Sequence, residues 1–147
     1  MEIAVEKAKK TGAGIVTMNN CGHLGMLAYH SMIASDNDMI GTTMAACSPR
    51  MVPTYSSVRA IGTNPISYSA PADKLPDFVF DAAMTSVAGN KIVLASRLNV
   101  PLSPGWIADK DGNPIMKEIS IDELNHEDES KNPVSYTHLR AHETSRY

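Results

Sequence analysis

One histidine stands in the run Asn20-Cys21-Gly22-His23-Leu24-Gly25, between an apolar stretch over 14–18 and an amphipathic stretch beginning at Met26. Glycines on both sides leave no bulky neighbour to cover the imidazole, and they permit turn conformations closed to other residues. A chain patterned this way brings an extended segment to an exposed loop and leaves it as a helix. Imidazole has an ordinary pKa of about 6.5, so a histidine displayed in such a loop can serve as a general acid or base near neutrality. The same residues equally fit a histidine that only caps the next helix or bonds to loop backbone, and locally both readings stay open.

With 147 residues, 43% of them hydrophobic and 20% charged, the chain is long enough to bury a core and has an ordinary globular profile. Its net charge is −3, and lysine and arginine never cluster beyond Lys9-Lys10, which argues against nucleic acid as a partner. No apolar run reaches the roughly 18 residues of a membrane span, and Met1-Glu2-Ile3-Ala4-Val5-Glu6-Lys7 lacks a signal-peptide layout, so a reducing, cytoplasmic setting is expected. Cys21 and Cys47 then read as free thiols. Cys21, His23 and His30 match no paired metal-binding spacing, and no metal site is expected. Cys21 lies two residues from His23, but a nucleophile and its base ordinarily meet through the fold and not along the chain.

In chain order, residues 2–10 read as a helix with Glu6 and Lys10 as an i,i+4 pair and Gly12 as its stop. The β-branched stretch 14–18 reads as a buried strand. From Met26 to about Asn37, Met26, Leu27, Tyr29, His30, Ile33 and Ala34 recur at helical spacing, with His30 a satisfied histidine at the core margin. Residues 40–46 read as a strand, and 50–61 as a loop with little periodicity. In Gly62-Thr63-Asn64-Pro65, proline pushes Asn64 into an extended conformation before the strand 66–70. The Asn64 amide can there bond a polar ligand or simply close the turn. Residues 78–81 read as a strand ending in the carboxylate of Asp81. Ser86 is placed to cap a helix running to about Asn99, with Val87, Ala88, Ile92, Ala95 and Leu98 on its apolar side. Residues 106–108 and 113–116 flank Asp109-Lys110-Asp111-Gly112 as a hairpin.

Taken together, Asn20-Cys21-Gly22-His23-Leu24-Gly25, Ser48-Pro49, Gly62-Thr63-Asn64-Pro65-Ile66, Ala70-Pro71, Phe80-Asp81, Lys91, Pro104-Gly105-Trp106 and Asp109-Lys110-Asp111-Gly112-Asn113-Pro114 resemble, in order and spacing, the malate/L-lactate dehydrogenase family. That family includes ureidoglycolate and sulfolactate dehydrogenases and differs from the Rossmann-type enzymes. The likeness covers about Met1 to Met116. It implies an α/β (α+β) fold with a mixed, largely antiparallel sheet and flanking helices, and an NAD- or NADP-dependent oxidoreductase acting on a small 2-hydroxy or 2-oxo acid. Malate or lactate is the leading substrate type, with ureidoglycolate or sulfolactate as alternatives, and a homodimer is the implied assembly. The glycines agree on the cofactor fold: Gly12-Ala13-Gly14 precedes an extended stretch, where a G-x-G-x-x-G fingerprint should follow a strand and open a helix.

Residue by residue, the resemblance implies that His23 is the general acid/base and Asn20 a substrate contact. It assigns cofactor contacts to Cys47, Asn64, Asp81, Ala82, Ala83 and Lys91. Without the family, Lys91 would read as a solvated helix lysine. Cys47 stands where relatives carry serine, Cys21 likewise replaces serine, Leu24 stands where phenylalanine is commoner, and Ala83-Met84-Thr85 replaces Ala-Thr-Ser. Relatives also carry a Ser-His-Gly motif ahead of this stretch, so 1–117 is expected to be a central cofactor-binding portion truncated at both ends. On its own it would then be inactive or a weak dinucleotide-binding module. Residues 118–133 read as an acidic surface segment. Residues 134–147 look like a translated sequencing adapter and are set aside from fold reasoning, with no function for His138 and His142.

Overall fold

A computed structural model describes residues 1–53, 56–109, 111–120, 123 and 134–136, the last three by backbone only. The chain forms two compact units, each made of two stretches. The first unit takes Met1–Ala45 and Pro65–Ala82, the second Ala46–Asn64 and Ala83–Tyr147. No helix among the described residues is long and apolar enough to cross a membrane.

The first unit opens with helix α1 (Glu2–Thr11), rich in Ala, Glu and Lys, which Gly12 ends in the left-handed conformation at φ 84°. Its ion pair is Glu6 with Lys9 at 3.0 Å, one residue short of the expected Glu6–Lys10 pair. The stretch 14–18, expected as a buried strand, is not one. Ile15 is 83% exposed and Met18 65%, and the stretch makes no ladder with any described strand. β-branched residues favour an extended backbone, but a strand also needs a neighbour to pair with.

Helix α2 (Leu27–Ser35) lies on a three-stranded antiparallel sheet of β1 (Gly41–Met44), β3 (Ile66–Ala70) and β4 (Phe78–Ala82), in the order β1-β3-β4. The expected apolar stripe of α2 is partly wrong. Met26 and Tyr29 are exposed, and the helix buries Leu27, Ala28, Ser31, Ala34 and Ser35, with Leu27-Ser31-Ala34 along one side. The register pairs Thr42 with Tyr68 and Tyr68 with Phe80, so these share one face of the sheet, while Thr43, Ser67 and Asp81 share the other. The second face meets α2 through hydroxyls. The Ser69 Oγ–H donates to the Ser31 carbonyl at 2.6 Å, and the Ser31 and Ser67 hydroxyls lie 2.8 Å apart. The Ser67 hydroxyl also reaches the Phe80 carbonyl at 2.8 Å and the Ser31 hydroxyl the Ala28 carbonyl at 3.2 Å, so each has a carbonyl acceptor besides the other hydroxyl. Helix and sheet meet at the backbone itself at Gly41, where a Cβ would run into the Ser31 carbonyl oxygen.

In the second unit, Ala95, Leu102, Ile107 and Ile119 form a buried cluster with Ile92, Trp106 and Ile115 packed on it. Ile119 falls in the segment expected to be solvated; its bridge to Leu102 holds it in the core, while residues 121–122 and 124–133 lie outside the described residues. Strand β2 (Met51–Val52) lies inside the stretch read as a loop, and its side chains are buried. Two residues are too few to show a period of two, which explains the misreading. Backbone of β6 (Val134–Tyr136) pairs with β2 in parallel and with β5 (Ile107–Ala108) antiparallel. The expected hairpin past β5 is present, with Asp109 Oδ1 accepting from the amides of Asp111 and Asn113 at 2.9 Å each. Those amides, that of Asn113 above all, hold the Asp109 carboxyl below its ordinary value of 3.8. Lys110 of this turn, and His138 and His142, lie outside the described residues. Helix α3 (Gly89–Leu98) starts three residues after Ser86 and has no side-chain cap; the Ser86 hydroxyl instead donates to the Gly105 carbonyl at 3.2 Å. Of its expected apolar side, Val87 and Ala95 are buried, while Ala88 is exposed and Leu98 is 62% exposed.

Candidate functional site

The loop ahead of α2 carries His23. Two left-handed residues bracket the histidine, Asn20 at φ 55° and Gly25 at φ 72°. The His23 side chain is exposed, and its Nδ1 accepts the Gly25 N–H at 3.0 Å. A backbone N–H only donates, so the neutral ring carries its proton on Nε2 and presents that N–H outward. Asn20 is exposed as well. Behind the loop, His30 of α2 donates from Nε2 to the Leu24 carbonyl at 3.1 Å, a satisfied histidine as expected and the tie of α2 to the loop.

Asp81 sits near the end of β4, and its Oδ2 accepts the Ala28 N–H at 2.8 Å, at the start of α2. Ala82 closes the strand beside it. The first unit thus gathers His23, Asn20, Asp81 and Ala82.

Cys47, Asn64, Ala83 and Lys91 belong to the second unit. Asn64 takes φ 34° in place of the extended conformation expected before proline, and its Oδ1 accepts the Cys47 N–H at 2.9 Å. Its carbonyl oxygen closes the turn, so of the two readings left open by the sequence this atom follows the second. Gly62 is wedged into the same turn, where a Cβ would strike the Cys47 carbonyl oxygen. The Cys47 side chain remains exposed, and so does Ala83. Lys91 lies in the first turn of α3 with its Nζ 5.8 Å from the centre of the Trp106 ring, a cation–π contact. A groove of about 180 Å3 beside it is lined by Leu94, Leu98, Val100, Pro101 and Trp106, together with Lys91 and Ala95. Sequence reasoning missed the partner of His30 and the roles of Gly25 and Trp106, since no local signal marks a histidine as the partner of a carbonyl six residues back.

A helix laid on a small antiparallel sheet, with no glycine fingerprint between a strand and a helix, separates this architecture from Rossmann-type dinucleotide folds. The chain belongs to the malate/L-lactate dehydrogenase family, whose sequence profile matches residues 1–118. A malate/(S)-sulfolactate dehydrogenase of Methanothermus fervidus is 40% identical over 114 residues, covering 78% of this chain and 33% of the relative. A ureidoglycolate dehydrogenase (NAD(+)) of Escherichia coli O157:H7 is 30% identical, covering 84% of this chain and 36% of the relative. Among solved structures, the sulfolactate dehydrogenase of Methanocaldococcus jannaschii superposes with a TM-score of 0.67 at 37% identity, over 79% of this chain and 33% of that one. The chain spans about a third of the length of the curated relatives it matches.

Proposed function

We propose that this chain supplies the proton-transfer loop and part of the cofactor wall of an NAD- or NADP-dependent dehydrogenase acting on a small 2-hydroxy/2-oxo acid of the malate or lactate type. Ureidoglycolate and sulfolactate are alternative substrates within the same chemistry. A cytoplasmic homodimer completes the proposal. The observation that carries it is an exposed His23, held by one ring nitrogen in a chain whose family profile spans 1–118.

Oxidising an alcohol to a ketone removes a hydride from carbon and a proton from oxygen, and a bound nicotinamide dinucleotide supplies the hydride acceptor. The residues of the second unit fit part of such a group. The groove walled by Leu94, Leu98 and Trp106 has the size and apolarity for one flat ring, and the Lys91 ammonium can meet a phosphate by Coulomb attraction. The proton falls to His23. With Nδ1 engaged by Gly25, the Nε2–H of the neutral ring can hydrogen-bond the carbonyl oxygen of a bound 2-oxo acid, while delivering a proton to that oxygen takes the imidazolium, which carries a proton on Nδ1 as well. Accepting the hydroxyl proton at Nε2 requires the ring proton on Nδ1, so the Gly25 N–H must first turn away. Gly25, already at positive φ and free of a side chain, can make that turn. Asn20, exposed in the same loop, is the proposed substrate contact.

The reading is tested on the reading frame extended to the length of its relatives, following nicotinamide absorbance with NAD and NADP across a panel of 2-hydroxy and 2-oxo acids. His23→Ala should lower kcat by roughly 100-fold or more while leaving dinucleotide binding intact. An extended protein that binds neither dinucleotide and turns over no acid of the panel sinks it. For the 147-residue chain alone we propose at most weak dinucleotide binding, because it covers about a third of the relatives' length.

A further inference from the structure

Helix α2 begins without a cap of its own. Its N-cap residue is Met26, which makes no side-chain cap bond, and no acidic residue lies in its first turn. The first amides of a helix have no partner inside the helix and need one from elsewhere. Here the partner comes from 53 residues further along the chain: the Asp81 carboxylate takes the Ala28 N–H at 2.8 Å and sets a negative charge against the positive end of the helix. Asp81 stands on a firm base, because β4 pairs with β3 along its whole length, with Asp81 opposite Ser67, and β3 is tied to α2 by the serine bonds. From Ala28 the loop lies one turn away. His30 holds the Leu24 carbonyl, and the next residue, Gly25, holds His23 Nδ1.

We propose that Asp81 is a positioning residue for His23: as a remote cap it fixes where α2 starts, and so where the loop presents the imidazole, instead of contacting the cofactor through its carboxylate. The proposal rests on the acid/base reading of His23 above. Its geometric half is independent of turnover, which lets the two be tested apart.

The experiment compares wild type, Asp81→Ala and Asp81→Asn. Amide hydrogen exchange on the 147-residue chain reads the cap directly. Asp81→Ala should speed exchange at Ala28 by about tenfold, and Asp81→Asn, which keeps a side-chain oxygen, by less, with the amides shared by β3 and β4 unchanged. In the extended enzyme, Asp81→Ala should lower kcat about tenfold with dinucleotide Kd and KM unchanged, and Asp81→Asn should recover most of the loss. Unchanged exchange at Ala28 in Asp81→Ala overturns the cap. Equal weakening of dinucleotide binding in both variants overturns the positioning role and makes Asp81 a cofactor contact. A wild type with no turnover and faster Ala28 exchange in Asp81→Ala overturns the function reading while upholding the cap.

Discussion

The two faces of the β1-β3-β4 sheet invert the usual arrangement of an antiparallel sheet, which turns apolar side chains to the core and polar ones to water. The face under α2 carries Gly41, Ser67 and Ser69, all buried, and the hydroxyls bond to the helix or to the neighbouring strand. The other face shows Met44 at 66%, Phe78 at 61% and Phe80 at 44% exposure, with Tyr68 and Phe80 forming a ring pair at 6.3 Å. Small residues on the hidden face let helix and sheet come close enough for serine hydroxyls to bond between them, so direction and fit, more than buried apolar area, set the seating of α2. Apolar content alone is therefore a poor guide to which side of this sheet is the inside.

Breaking the close approach should have the largest effect. Gly41→Val puts a branched side chain against the Ser31 carbonyl, and α2 cannot keep its seat. We expect a loss of about 3 kcal/mol or more in urea unfolding. Next, Ser67→Ala removes the bonds of Ser67 to the Phe80 carbonyl and to the Ser31 hydroxyl, which keeps the Ala28 carbonyl as acceptor, and should cost about 1 kcal/mol. Adding Ser31→Ala should cost clearly less than the sum of the single changes. On the open face the contrast sharpens: Phe78→Ser should change stability by only about 0.5 kcal/mol, while lowering binding of an apolar dye and self-association. The smallest effect lies outside the sheet, at Asp109. Because folding lowers its pKa below 3.8, its contribution is complete above that value and disappears as pH falls through the lower folded value. Asp109→Asn should remove this acid-side slope from the unfolding curve, lowering stability slightly near pH 7 and leaving it unchanged below the folded value.

Strands and helices were legible where their own residues carried the signal. Ile66–Ala70 was read to the residue, and β4 and α1 to within one, because β-branched and aromatic runs or an Ala-Glu-Lys helix bounded by glycine need little outside help. The stretch 14–18 failed because extended backbone is a local property and pairing is not. Tyr29 and Met26 were assigned to the wrong side because the face they were meant to pack on is built from serines. At the candidate site, the glycines around His23 announced an exposed imidazole, and the order of motifs pointed to the family. What no reading of neighbours could give is the bond from Asp81 to Ala28 or the turn that joins Asn64 to Cys47, since both link residues far apart in sequence.

The hydroxyl ladder of the hidden face has one further consequence, for how sequences of this kind can drift. With Ser67 bonded to the Phe80 carbonyl and Ser31 within reach of the Ala28 carbonyl, each hydroxyl keeps an acceptor of its own even when the other position loses its hydroxyl. Alanine at one position removes the link between the two hydroxyls without stranding the one that remains. In any set of sequences sharing this sheet, small residues at positions 31 and 67 are therefore expected to be exchanged one at a time, although the two touch across 36 residues of chain.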